Sequence, residues 1–74
     1  MSHEEIKDRF GTHTPSEENA EKHKELRFQF MSIASELDVF LPPGRSKALA
    51  MTALEEASMW AHKAIASLDP VDEL

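Results

Sequence analysis

The 74 residues include no cysteine, two glycines and four prolines. A disulfide frame, a thiolate metal site and a Gly-rich repeat are therefore excluded, and the chain is too short for a TIM barrel or a Rossmann domain. Eight Lys and Arg stand against 14 Asp and Glu, a formal charge of −6 that argues against a non-specific binder of duplex nucleic acid.

A single domain spanning residues 1–74 is expected. A chain of this size buries only about 60% of its unfolded surface. Its 41% hydrophobic content is a thin allowance for a lone monomer, so association with itself or a partner is expected. Met1-Ser2-His3-Glu4-Glu5 lacks the basic start and apolar stretch of a signal peptide. No run approaches the roughly 18 apolar residues that cross a bilayer. The reading is a cytoplasmic protein with no membrane partner.

The first helix is predicted over about 2–9, with Ser2 and Glu5 as a capping box and Ile6 and Phe10 as an i, i+4 apolar pair. Gly11-Thr12-His13 breaks it. The second is predicted over about 15–40, capped by Thr14, with Pro15 at its first position and Glu17 closing the box. Its core stripe is Leu26, Phe30, Ile33, Leu37 and Phe40 or Leu41. Pro42-Pro43-Gly44 ends it.

The third helix is predicted over about 45–68, with Leu49, Ala53, Ala57, Trp60, Ala64 and Leu68 on one broad face, extended by Leu54, Ala61 and Ile65. Its seven alanines from Ala48 to Ala66 favour helix and allow close backbone approach. Residues 69–74 are expected to fray. Two helices of about 36 Å joined by a short loop make an antiparallel hairpin. The fold class is thus all-α, a short N-terminal helix followed by a helical hairpin. Phe28, Met31, Met51 and Met59 lie off the tidiest stripe, so either a homo-oligomer covers them or the first helix folds back over them.

Lys22, His23, Lys24 and Arg27 form a basic group in the acidic second helix. Lys24 and Arg27, three apart, share a face suited to a phosphate. The plainer reading is a solvated face laced with Glu17, Glu18, Glu21 and Glu25. Arg45 and Lys47 at the third helix start present the same choice between an anion site and exposed charges.

Glu55 and Glu56 point about 100° apart and make no facing carboxylate pair. His3, His13, His23 and His62 show no zinc spacing, so neither a metal nor a cofactor is expected. Trp60 reads as a core or interface anchor. Phe10, beside the Gly11 break, either covers a pocket or staples two helices.

Taken together, two stretches carry a resemblance. Leu54-Glu55-Glu56-Ala57-Ser58-Met59-Trp60-Ala61, within residues 46–66, closely resembles the last helix of the phage anti-CBASS cyclic-oligonucleotide sponge family, whose helical hairpin is shared with one class of anti-Thoeris sponges. Arg9-Phe10-Gly11-Thr12-His13-Thr14-Pro15 is similar to that family's Arg-Phe-x-Tyr-His-x-Pro start. Residues 23–27 and 42–47 look like its second helix and its turn, so the resemblance covers roughly 4–66.

The resemblance implies a small α-helical protein assembled as a homohexamer in the host bacterial cytoplasm. Such proteins bind cyclic dinucleotides between subunits, and some bind cyclic trinucleotides in separate pockets. The anti-Thoeris relatives trap cyclic ADP-ribose derivatives. The messenger is sequestered without being cut, so no enzyme activity is expected. Carried across, the family's pocket tyrosine falls at Thr12, His13 matches, and the phosphate-facing basic residue falls at Arg27, with Lys24 as the alternate. The lost ring removes a stacking surface worth about 1–3 kcal/mol per base, which Phe10 or His13 replaces unless the ligand is held differently or this chain has another specificity. His62 stands where the family usually has Asn. Two other readings remain: an oligomeric protein-interaction module with no nucleotide ligand, and a hydrolase resting on Glu55 and Glu56.

Overall fold

A computed structural model describes residues 1–72. Three helices follow in order, α1 (His3–Phe10), α2 (Glu17–Phe40) and α3 (Arg45–Ala66), with no strand among the described residues beyond an isolated bridge between His13 and Val71. In α1, Ser2 Oγ accepts from the Glu5 N–H at 3.1 Å, and Glu4 and Glu5 occupy the first turn, where the dipole favours acids. The Gly11 N–H donates to Lys7 O at 2.8 Å and closes the last turn.

The start of α2 differs from the sequence expectation. Ser16 is the cap, its Oγ accepting from the Asn19 N–H at 3.2 Å, and Pro15 lies outside the helix. Contacts more than fifty residues away in sequence account for the shift. Thr14 gives its N–H to Asp72 Oδ1 at 3.2 Å and its hydroxyl to Asp72 Oδ2 at 2.9 Å, and so has no capping role. Residues 11–16 become a connecting strap.

At the other end of α2 the Leu41 N–H donates to Leu37 O. The chain then turns through Gly44, whose φ of 146° and ψ of −173° favour glycine. Lys47 ties the turn together. Its Nζ lies 2.9 Å from both the Asp38 carbonyl oxygen and Asp38 Oδ1. Lys47 therefore joins the end of α2 to the start of α3, which uses its charge within the chain.

Helix α3 ends two residues before its expected limit. Ser67 Oγ donates to Ala64 O at 2.7 Å, and the Leu68 and Asp69 N–H groups reach Ile65 O and Ala66 O in tighter turns. The expected fraying does not hold for residues 69–72, which fold back onto the strap; Glu73 and Leu74 lie outside the described residues.

Helices α2 and α3 pack against one another, whereas α1 packs against neither. The seam on α2 runs Asn19, His23, Leu26, Phe30, Ala34, Leu37 and Leu41 at spacings of three and four. Leu26, Phe30, Leu37 and Leu41 occupy their expected places, but Ile33 and Phe40 do not. On α3 the seam is Ala50, Met51, Leu54, Ser58, Ala61, His62 and Ile65. The expected face of Leu49, Ala53, Ala57, Trp60, Ala64 and Leu68 is solvent-exposed instead.

The correction is one of helix phase. Apolar residues cover α3 so widely that two stripes roughly 120° apart compete for the seam, and the stripe containing Leu54, Ala61 and Ile65 wins. Met51 is half-buried, whereas Phe28, Met31 and Met59 stay exposed, so α1 does not fold over them. No hydrophobic side chain is fully buried among the described residues.

Candidate ligand site

Arg27 lies one helical turn beyond His23 on the flank of the seam, where α2 and α3 diverge into an open groove of about 370 Å³. Phe30, Met31, Met51 and Leu54 give this groove an apolar floor, and Arg27 and Glu55 bring one charge of each sign to it. An apolar surface beside a guanidinium suits a flat, partly apolar group carrying an anion. Glu56, about 100° further round the helix, is not among the lining residues. The two adjacent carboxylates therefore do not share the groove.

The rest of the basic group disperses. Lys22 Nζ sits 3.8 Å from Glu18 Oε1. Lys24 lines a different depression, with Glu21, Glu25 and Phe28. His23 turns into the seam, where its Nδ1 meets His62 Nδ1 at 2.7 Å, the ring planes within 8° of parallel. A bond between two ring nitrogens needs one donor and one acceptor, so it disfavours a second proton. Burial, then the neighbouring His23 and Arg27, hold the His62 pKa below 6.5.

The predicted front residues gather at the strap. Phe10 is 78% exposed at the end of α1, free of any role as a staple within the chain. Thr12 gives its hydroxyl to Asp72 Oδ2 at 3.1 Å, and its carbonyl accepts from the Asp72 N–H at 2.7 Å. His13 Nδ1 lies 2.7 Å from Asp69 O, and its Nε2 lies 3.2 Å from Asp8 O. Both partners only accept, so both ring nitrogens donate when the imidazole is charged. These bonds to Asp69 and Asp8, with the carboxylates of Asp8 and Asp72 nearby, raise the His13 pKa above 6.5.

Two features were not read from the sequence. The His23–His62 pair is invisible without the phase of α3, because 39 residues separate its members. The roles of Asp69 and Asp72 have no local signal at all. Asp69-Pro70 reads as a helix stop, but α3 ends at Ala66 before it is reached, and the Asp69 side chain is instead buried at the start of α2. There its Oδ1 accepts from the Ser16 N–H at 3.2 Å and from Asn19 Nδ2 at 3.1 Å.

Within one chain, His13 and Arg27 line different depressions. No helix among the described residues is long and apolar enough to cross a membrane. No curated protein and no solved structure matches the chain. The family model of the Acb2/Tad1 hairpin domain matches residues 2–66, from the cap of α1 to the last residue of α3, and the chain belongs to that family.

Proposed function

We propose that this protein is a phage immune-evasion sponge. It binds cyclic di- or trinucleotide second messengers, sequesters them uncleaved in the host cytoplasm, and so starves host CBASS effectors of their activator. The observation that carries this reading is the family match across nearly the whole hairpin. The groove beside Arg27 supports it physically. A nucleobase fits the apolar floor of Phe30, Met31 and Met51, and the guanidinium forms charge-assisted hydrogen bonds with a phosphate.

That His13 and Arg27 line different depressions of one chain supports a ligand held between copies. A cyclic nucleotide that touches both His13 and Arg27 sits between two copies, the strap of one closing over the groove of the next. A homo-oligomer, a hexamer by family resemblance, then both completes the pocket and covers the exposed apolar side chains. Release of the messenger unchanged distinguishes this from hydrolysis by Glu55 or Glu56.

Native mass spectrometry of the purified chain, alone and with cyclic dinucleotides, cyclic trinucleotides and cyclic ADP-ribose isomers, tests the proposal. The expected spectrum is a defined oligomer retaining an intact ligand that is recovered unchanged after denaturation. An oligomer that retains none of the panel would defeat the sponge reading and leave the protein-interaction module in its place. A cleaved ligand would establish an enzyme.

A further inference from the structure

Residues 69–72 lie beyond the segment that the family match covers. They nevertheless account for most of the long-range hydrogen bonds of the described residues. These bonds fall into two layers. The inner layer is Asp69, whose side chain holds the Ser16 N–H and Asn19 while its carbonyl faces His13 Nδ1. The outer layer is Asp72, whose carboxylate takes the Thr12 hydroxyl, the Thr14 hydroxyl and the Thr14 N–H. Between them Val71 presses on Gly11, where an added Cβ would come within 2.8 Å of Val71 Cγ1.

We propose that Asp69 and Asp72 are positioning residues, which clamp the strap against the end of α3 and so hold His13, its ring nitrogens occupied by Asp69 O and Asp8 O, as a charge in the wall of the depression it shares with Arg9 and Lys63, where an anionic ligand sits. The ligand part of this inference rests on the cyclic-nucleotide reading above. Thr12 is the informative residue. It stands where the family resemblance places a tyrosine, and here its hydroxyl is given to Asp72. Position 12 in this chain docks the tail. Asp8 on α1 and Asp72 on the tail favour the protonated imidazole, the Asp69 carboxylate lies on the same tail, and Arg9 on α1 and Lys63 on α3 line the depression that His13 lines. Loss of the Asp72 charge removes part of that support.

The experiment uses the full chain and two readouts. The titration of the His13 ring is followed by NMR in the wild type, Asp72→Asn, Thr14→Val and the double variant. Affinity for 3′,3′-cyclic GMP–AMP is measured by calorimetry in the same four proteins. Asp72→Asn is expected to lower the His13 midpoint and to weaken binding about fivefold near neutral pH, as loss of a charged hydrogen-bond acceptor would. That deficit shrinks at about pH 5.5, where His13 is protonated in both proteins. The double variant should be no worse than Asp72→Asn alone, because both changes break one clamp.

An unchanged His13 midpoint would overturn the clamp. Tighter binding by Asp72→Asn would also overturn it, since Asp72 would then be competing with the ligand for the threonine hydroxyls. If the wild type binds no cyclic dinucleotide while Asp72→Asn still lowers the midpoint, the clamp stands and the cyclic-nucleotide reading falls.

Discussion

Asp69 holds two donors, the Asn19 amide in a buried place and the Ser16 N–H in a part-buried one, and its loss strands the buried amide. Asp69→Ala is expected to lower unfolding stability by about 1–3 kcal/mol, the usual penalty for stranding buried polar groups. The measurement is urea denaturation at one fixed protein concentration, because the stability of an associating chain varies with concentration. Wild-type stability in this variant would show that the carboxylate is idle.

The two perturbed histidines make a second prediction. The folded pKa of His13 is raised, so its contribution is complete below 6.5 and is lost as the pH rises through the folded value. The folded pKa of His62 is lowered, so its contribution is complete above 6.5 and is lost as the pH falls toward the folded value. Their combined contribution to the melting temperature therefore peaks near 6.5 and declines on both sides. His13→Gln should flatten the alkaline limb and His62→Asn the acid limb. A limb that persists in its own variant would assign it to another group.

At the scale of elements, helix interiors were legible and their junctions less so. Ser2 capped α1 as its spacing indicated, because every partner lay within three residues. The start of α2 was misplaced because Thr14 and Ser16 have competing partners at positions 72 and 69. The α3 seam was misread for a different reason. Alanines occur on both stripes, so periodicity identified a helix without identifying which stripe met α2. Of the site, the resemblance pointed to the strap and to Arg27, while Asp69, Asp72 and the His23–His62 pair emerged only when distant segments met.

The α2–α3 turn carries its own prediction. Gly44 has open space around it, with nothing within 4 Å of an added Cβ, so sterics would permit alanine. Its backbone conformation does not, and Gly44→Ala is expected to cost about 1–3 kcal/mol. Thermal melts of Gly44→Ala beside Pro43→Ala separate this conformational strain from a general sensitivity of the turn. Equal melting temperatures for Gly44→Ala and the wild type would show that the turn relaxes without cost.

The whole chain is too open to account for its own sequence. It exposes 6109 Å², where a compact monomer of this mass would expose about 4,600 Å². Its radius of gyration is 15.7 Å, where a compact chain of this length gives about 11 Å. Ile33 and Phe40 of α2 and Leu49 and Trp60 of α3 lie off the intrachain seam and are exposed. Phe40 is 82% exposed and Trp60 62%. Exposed aromatic and aliphatic groups are the kind of surface that drives association, with aromatics dominating the energy.

Trp60→Asp is therefore expected to weaken self-association at least about tenfold, or ~1.4 kcal/mol, with little loss of helix content, because Trp60 lies off the intrachain seam and is mostly exposed. Sedimentation velocity reads the assembly and circular dichroism reads the fold. If the pocket lies between copies, the same variant loses cyclic-nucleotide binding although Arg27 and His13 are intact. Restoring the assembly by raising the protein concentration should then restore binding in step. A Trp60→Asp monomer that binds as tightly as the wild type would place the whole pocket within one chain and assign the exposed face to something other than the ligand.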